Sequence, residues 1–252
     1  MFSALLLLGI TSASRAETST PKLIDTLASE LKRIDERLAQ EPDPPHWMAI
    51  GAVTTESMLI NASNGVTTQP QWHRKRLADI DVRVGTHQLD NTHKIRDAGW
   101  FDDDGRMAIS LPLDDQNDAA LRQAIWRATD DAYRAARKRL LKVKNNLAVK
   151  VESDDSSGDF SPSEPATFSG TTDRLVLDTG LWRERLRTAS TRFLESNAIE
   201  DSNISLHAEQ SVRTIVTTEG TRLHLPRTAI RLGIWARTTA EDGMDINVFE
   251  SI

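Results

Sequence analysis

The closing segment, Ser211–Ile252, constrains the fold of this chain more than any other stretch. Two runs of alternating apolar and polar residues flank Thr218-Glu219-Gly220, and a third follows Asp242-Gly243. Successive side chains of a β-strand point to opposite faces of a sheet, so alternation between glycine-containing turns is typical of consecutive antiparallel strands. The sequence therefore predicts a β-meander here, with one buried face.

Three amphipathic helices are predicted in the rest of the chain. The first follows Thr20-Pro21, an N-cap residue with proline at the first helical position. The second and longest covers Asp118–Leu147, and the third opens at Thr179-Gly180. Apolar residues recur every three or four positions in each, as expected for helices that bury one side. For the first helix these residues are Leu23, Leu27, Leu31, Ile34 and Leu38.

A first meander is predicted between the first two helices. Trp47–Val53 and Ser57–Ala62 are predicted as two strands joined near Thr54-Thr55-Glu56, and Asn64-Gly65 is a turn signal. Arg76–Val84 alternates imperfectly and ends at Gly85. Shorter strands are predicted at Met107–Leu113 and Val149–Glu152, and a second group begins at Ile204–Ala208.

The element order predicts an α+β fold of antiparallel β-meanders packed against long amphipathic helices. The order is helix, meander, helix, linker, helix, meander, with a flexible linker at about residues 153–172, which are rich in Ser, Asp, Pro and Gly. Alternation with one polar face favours sheets that helices cover on one side only. The two halves are alike in kind, without a residue-level repeat.

Composition narrows the class of protein. The formal net charge of −6, with no long basic tail, argues against a dedicated nucleic-acid binder. The chain has no cysteine, which excludes disulfides, thiolate metal ligands and cysteine nucleophiles. Only the N-terminus is strongly apolar, and its run is too short to span a bilayer.

Residues 1–16 are interpreted as a signal peptide, which leaves 17–252 as the mature domain. Phe2–Ile10 has the length of a signal-peptide core, and Ser14 and Ala16 are small residues at −3 and −1 of a cleavage site. The segment lacks the usual Lys or Arg, so a buried strand or a misassigned start codon is the alternative. We expect an exported protein, periplasmic or extracellular, and a cytoplasmic one if the signal is not real.

Candidate catalytic chemistry is sparse. His87, Asp90 and His93 have metal-ligand donor types, but six-residue spacing outside a helix is not a standard arrangement, so loop-bracing roles are favoured. Neither His-Glu-x-x-His nor Gly-x-Ser-x-Gly occurs. We therefore assign no catalytic, cofactor-binding or metal residue. Trp100-Phe101, in a loop rich in Asp and Gly, is a candidate partner contact, and Asp102-Asp103-Asp104 is interpreted as turn residues.

Several short motifs resemble one family. Arg83-Val84-Gly85, followed by Leu89-Asp90-Asn91-Thr92-His93, resembles a run in the N-terminal domain of TldD/PmbA-type metallopeptidase-related proteins. Trp182-x-x-Arg185-Leu186-Arg187, which leads to Phe193, resembles a second run in that N-terminal domain. The closing segment resembles the family best. Its matching residues are Thr218-Glu219-Gly220-Thr221, Pro226-Arg227-Thr228, Arg231-Leu232 and Asp242-Gly243-Met244.

The resemblance implies an N-terminal α+β domain, followed in the family by a β-rich domain with a zinc motif, His-Glu-x-x-x-His, and a cysteine ligand. It also implies dimers around a cavity where unfolded or modified peptides are cleaved. This chain lacks both the motif and any cysteine. Zinc is therefore expected only in a C-terminal domain that is absent here, and no family catalytic residue has a counterpart.

The leading hypothesis is a non-catalytic N-terminal module, free-standing or truncated, that docks peptides or assembles with a catalytic partner. The expected partners are a TldD/PmbA-like protein, as homo- or heterodimer, or an unfolded peptide. We expect neither nucleic acid nor, after signal cleavage, membrane as a partner. Two alternatives stay open: a secreted binding or structural protein that reuses the fold, and a hydrolase whose site includes His87, Asp90 and His93.

Overall fold

The computed structural model describes residues 22–95, 108–114, 118–148, 157–172 and 175–252. No helix within these ranges is long and apolar enough to cross a membrane. The helices are α1 (Lys22–Leu38), α2 (Asp118–Ala148), α3 (Thr179–Ser190) and a 3₁₀ turn (Thr191–Glu195). The strands are β1 (Pro45–Ser63), β2 (Val66–Thr67), β3 (Gln71–Val84), β4 (Ile109–Ser110), β5 (Thr167–Ser169), β6 (Asp201–Thr217), β7 (Arg222–Thr239) and β8 (Asp245–Ser251).

The described strands form a single eight-stranded sheet in the order β4-β3-β1-β6-β7-β5. β2 pairs with β1, and β8 pairs with β7. All pairs are antiparallel except β5 with β7, which is parallel over three residues. The predicted α+β class, with antiparallel meanders packed on helices, is confirmed.

The two meanders are joined into one sheet by the pairing of β1 with β6. The register runs without a shift from Ala49 opposite Thr217 to Ala62 opposite Ile204. The predicted closing meander, β6-β7-β8, is confirmed, with turns at the expected positions. Pairing between its first strand and a strand some 150 residues earlier was not predicted, because periodicity carries no information about which distant strands meet.

The predicted break near Thr54-Thr55-Glu56 was wrong, since β1 is one continuous strand of 19 residues. Thr55 pairs with Lys75 on one side and Ser211 on the other, so the strand is hydrogen-bonded within the sheet on both edges. The apolar alternation is interrupted there because Thr54 and Glu56 lie between two hydrophobic clusters. β3 also begins earlier than predicted, at Gln71.

The buried side chains form two clusters on the same face of the sheet. Near one end, Met48 and Ile50 of β1 pack with α1 and α2. Near the other, Met58 and Ile60 pack with α3. Burying an aliphatic side chain of this size contributes about 1.5–3 kcal/mol. Arg76 lies buried between the clusters and donates to Thr54 Oγ1 (3.0 Å) and to the Pro112 carbonyl (2.8 Å).

The second part of the predicted linker lies along the end of the sheet, and we call residues 157–172 the strap. The Phe160 amide donates to the His87 carbonyl (3.0 Å). The Ala166 amide donates to Thr221 Oγ1 (3.1 Å), and β5 then pairs with β7. These contacts attach the strap to the loop after β3 on one side of the sheet and to β7 on the other. The predicted strand Val149–Glu152 and the Thr20-Pro21 cap lie outside the described residues.

Candidate functional site

Asp90, for which the sequence favoured a loop-bracing role over a metal site, is fully buried and accepts hydrogen bonds from neighbouring donors. Its carboxylate accepts hydrogen bonds from Thr92 Oγ1 (2.6 Å), the Thr92 amide (2.7 Å) and an Arg83 amino group (3.3 Å). Gly85 and Asp90 form an isolated antiparallel bridge that closes the loop between them. The carboxylate is thus used to brace the loop.

His93 and His87, the two histidines of the alternative metal site, are directed at other groups. His93 Nδ1 lies 2.7 Å from an oxygen of Asp159 in the strap. The His87 ring lies against Phe160, with ring centroids 5.6 Å apart. Within the described ranges no three His, Asp or Glu side chains come together as metal ligands. The structure therefore places His87, Asp90 and His93 in one neighbourhood without directing them at one point.

The loop and the strap meet in a cluster of rings that sequence reasoning missed. His46 lies 4.8 Å from His87 and 5.6 Å from Phe160 between ring centroids. The Trp47 and Phe160 ring centroids are 5.2 Å apart, and the Arg83 guanidinium lies over the Phe160 ring at 4.8 Å from its centroid. Cations over aromatic rings and tilted ring pairs each contribute about 0.5–1.5 kcal/mol. No local pattern near Phe160 would have indicated these distant partners.

Burial and charge set the protonation states of this cluster. Burial lowers the pKa of His46, and the hydrogen bond to Asp90 (3.3 Å) offsets only part of that effect. For Asp90, burial raises the pKa, but the hydrogen bonds from Thr92 and the charge of Arg83 more than compensate, so the pKa is lowered overall. Asp90 is thus held ionised and His46 held neutral at neutral pH.

The cluster is better suited to anchoring than to catalysis. Asp90 cannot turn toward a substrate without losing Thr92 and Arg83, and His46 is 11% exposed at its side chain. His46 Nδ1 has no hydrogen-bond partner in the part of the chain that the structure describes. The ring's polar contact within the described residues is made by Nε2, 3.3 Å from an oxygen of Asp90. We interpret the cluster as the clasp that holds the loop and strap to the end of the sheet.

The turn at Thr218-Glu219-Gly220 joins the same region. Trp47 Nε1 donates to Glu219 Oε2 (2.9 Å), and the Met48 amide donates to Thr218 Oγ1 (3.0 Å). The turn that marks the closing meander in the sequence is therefore bonded to β1. Trp100-Phe101 and Asp102-Asp103-Asp104 lie outside the described residues.

A groove of about 870 Å³ runs between α2 and the β3–β4 side of the sheet. Alanines of α2 form much of its floor, among them Ala124, Ala128 and Ala132. Arg139 at its end donates to the Asn91 carbonyl (2.7 Å). The polar groups along the groove do not converge on one point, so it is not our candidate site.

No helix in the described ranges packs on the side of the sheet opposite the two hydrophobic clusters, and we call this side the open face. It consists of the odd-numbered residues of β1, β3, β6 and β7, because directly opposed residues of antiparallel strands share a face. One part is apolar and includes Val53, Leu77 and Leu225, the last 37% exposed. We call each set of directly paired residues across these strands a row. The rows next to this apolar part carry basic residues.

Strand β8 forms a free edge in the described part of the chain. The pair Leu232–Ile252 exchanges two backbone hydrogen bonds of 2.9 Å, and antiparallel pairs alternate between bonded and non-bonded. Even-numbered β8 residues therefore bond to β7, and the backbone groups of its odd-numbered residues point outward. Its apolar side chains are exposed, with Phe249 at 64% and Val248 at 57%.

Comparisons with known proteins found similarity only to solved structures, at low sequence identity. No protein-family model matches, and no curated protein matches. TldE from Thermococcus kodakarensis is similar with a TM-score of 0.49 at 9% identity, over 88% of this chain and 42% of that one. A putative modulator of DNA gyrase from Thermotoga maritima has a TM-score of 0.45 at 11% identity, with 88% and 42% covered.

A putative modulator of DNA gyrase from Bacteroides thetaiotaomicron has a TM-score of 0.49 at 10% identity, with 88% of this chain and 44% of that chain covered. This chain thus spans less than half the length of all three proteins. The structural neighbours are TldE and gyrase-modulator proteins of the kind that the sequence resemblance names. Similarity this low says nothing about activity, and the match to an N-terminal domain stays a prediction.

Proposed function

We propose that this chain is a non-catalytic assembly module that pairs through β8 with the same strand of a second copy. The observation that carries the proposal is the exposed edge of β8. Its outward N–H and C=O groups belong to Asp245, Asn247, Phe249 and Ser251. Free sheet edges of this kind bind other strands unless proline, lysine, a bulge or a covering element protects them. β8 contains no proline or lysine, and its register with β7 has no shift.

The sequence of β8 suits pairing with itself. An antiparallel pairing centred on Val248 sets Asn247 opposite Phe249 and Asp245 opposite Ser251 of the second copy. All four outward-facing residues of each strand then exchange backbone hydrogen bonds, as the alternation requires. The acidic residues Asp245 and Glu250 do not oppose each other. A two-fold axis through this edge would produce the self-complementary contact that most homodimers use.

The exposed apolar side chains beside the edge support the same pairing. Ile246 and Val248 lie on the helix side of the hairpin at 41% and 57% exposure, next to Ile234 at 40%. Phe249 lies on the open-face side at 64%. Pairing about Val248 would bring the two Val248 side chains together and partly bury both Phe249 rings. Apolar burial would then add to the backbone hydrogen bonds.

The test compares Asn247→Pro with Asn247→Ala by size-exclusion chromatography and light scattering. Proline removes one outward N–H and leaves the bonds to β7 intact, whereas alanine keeps that N–H. We expect a dimer for the parent chain and for Asn247→Ala, and a monomer for Asn247→Pro. A monomeric parent chain at high micromolar concentration, or a dimeric proline variant, would contradict the proposal. The proposal would also be contradicted if the chain did not pair with itself and bound only a different protein.

The sequence resemblance supports a narrower form of this proposal. In that form the assembled module serves a TldD/PmbA-like zinc peptidase domain, by docking extended peptides for it. The chain itself would then hold no zinc and cleave no peptide. Elemental analysis and a peptide-digestion assay on the 252-residue chain test this, and stoichiometric zinc with cleavage would instead favour the hydrolase alternative.

Export is a separate part of the proposal and rests on Phe2–Ile10 and Ala16. We expect the protein recovered from its native host to begin at Glu17, after removal of the signal peptide. Intact mass or N-terminal sequencing decides this. A protein that retains Met1 would support the cytoplasmic alternative.

A further inference from the structure

Four basic side chains lie together on the open face. Lys75 and Arg227 are at the two ends of one row across the sheet, in which Thr55 and Ser211 stand between them. Arg213 lies in the adjacent row of the same face. With strands about 4.8 Å apart and alternate residues roughly 6.8 Å apart, Arg213 and Arg227 lie about 8 Å from each other. The fourth residue, Arg231, is two open-face positions beyond Arg227 on β7.

Among the described residues, these four cations have no salt-bridge partner. All are exposed to solvent. In the described ranges, none of them forms a salt bridge, although many other cations of the chain do, such as Arg137 with Asp43 (3.0 Å). Two acidic residues of the four strands lie on this part of the open face: Glu209, in the row between those of Arg227 and Arg231, and Asp79, in the row of Ile215 and Leu223. A cationic surface is therefore concentrated here on a chain whose net charge is −6.

An apolar strip adjoins the cations on the same face. Val53, Leu77 and Leu225 occupy the row of Arg213, and Ile215 and Leu223 lie in the next row. Side chains of adjacent rows are close enough for one extended ligand to contact both. The ligand that complements this surface is extended, acidic along most of its length and apolar at one end.

We infer that the open face binds an acidic, extended segment of a partner protein. The inference goes beyond the assembly role proposed for β8 and uses a different surface. Charge complementarity favours such a segment, because the cations would pair with its carboxylates while the adjoining strip covers its apolar residues. A single-stranded nucleic acid fits less well. Within the described strands these rows carry a single Phe, Tyr or Trp, which is Phe168 of β5 beside Leu223, so successive bases would find no series of rings to stack on. The net negative charge also opposes a phosphate backbone.

The test measures fluorescence anisotropy of a labelled glutamate-rich peptide that ends in leucines. The variant is the double substitution Arg213→Glu and Arg227→Glu. Its matched control is Lys138→Glu with Lys144→Glu, which makes the same change of net charge at exposed positions of α2. Thermal unfolding of both variants shows whether the fold is retained. The β8 edge is intact in both, so dimerisation measured on the same samples reports separately on the assembly proposal.

We expect the open-face variant to lose about tenfold or more in affinity, equivalent to one charge-dependent contact of roughly 1.4 kcal/mol. The control should bind within about twofold of the parent chain. Binding should weaken as sodium chloride is raised, since exposed ion pairs are screened. Equal losses in the two variants would overturn the inference. Tighter binding of an oligothymidine, or equal binding of the peptide with lysine in place of glutamate, would also overturn it.

Discussion

Gly85 is the residue whose backbone is most tightly constrained by its surroundings. Its φ of +122° lies in a region that side-chain-bearing residues rarely adopt. A Cβ placed there would lie 2.5 Å from the Leu89 carbonyl oxygen and 3.0 Å from the Asp90 Cα. Both neighbouring atoms are backbone and cannot rotate away. Glycine is thus required for the bridge that closes the loop of residues 86–93.

Gly85→Ala should lower the free energy of unfolding by about 2–4 kcal/mol, from an unfavourable φ and a steric clash together. Gly243→Ala is the control, because its φ is +84° but its Cβ would meet nothing within 4 Å. It should cost only about 1 kcal/mol. Urea unfolding measures both. Equal losses would show that the clash near Leu89 is relieved without cost.

Among the elements, the strap shows how a segment without long regular structure can still be fixed. Asp159 accepts from the Asp90 amide (2.9 Å) and contacts His93, and Phe160 lies in the ring cluster. These contacts fix its first residues against the loop. Because His46 is part of the cluster and its pKa is lowered by burial, this attachment depends on pH.

We expect stability to fall as the pH drops below about 6.5, the ordinary pKa of histidine. The pKa of His46 is lowered in the folded state, so the unfolded chain binds a proton first and acid favours unfolding. Burial acts in the same direction at His224. Below about pH 4 the lowered pKa of Asp90 adds a further loss, since the unfolded carboxylate is protonated before the folded one.

The check is the unfolding free energy of the parent chain and of His46→Gln between pH 7 and pH 5. The glutamine variant should lose less stability over that interval, since one of the two histidines whose pKa is lowered by burial is gone. His73→Gln is the control, because His73 is exposed on β3. Parallel pH profiles for the parent chain and His46→Gln would contradict the assignment.

For the whole molecule, the β1–β6 pairing predicts a single cooperative unit. The cluster under α1 and α2 and the cluster under α3 share the same long strands. Unfolding of either cluster would break the β1–β6 strand pairing on which the other cluster also packs. The chain is larger than most two-state domains, so cooperativity here would come from the continuous strands.

Ile50→Ala and Leu206→Ala test this cooperativity from the two clusters. Both side chains are fully buried, so each substitution should cost about 2–5 kcal/mol. In each variant, the unfolding midpoint measured by far-ultraviolet circular dichroism should shift by the same amount as the midpoint measured by tryptophan fluorescence. Trp182 belongs to the second cluster and Trp126 packs against the first, so fluorescence follows both. Two separated transitions in either variant would show that the clusters unfold independently.

Residues with local signals were predicted well, and those with distant partners were not. The helical stripe from Leu27 to Leu38 is buried along α1, with Leu23 partly buried at its start, and α2 spans the predicted residues with one added. Asn64-Gly65 forms the expected turn, with positive φ at both residues. His46 and Phe160 had no signal, because their meeting depends on the folded strap. The metal alternative at His87, Asp90 and His93 stays a hypothesis, because spacing does not tell where a side chain points.

The sequence by itself determined the helices, the closing meander and the single buried face, because each follows from the period of its apolar residues. Tertiary structure decided the pairing of β1 with β6 and the clasp around Asp90. It also gathered Lys75, Arg213, Arg227 and Arg231 on one face. The physical reason is that strand register between distant segments depends on the packing of the whole sheet, which no local pattern contains.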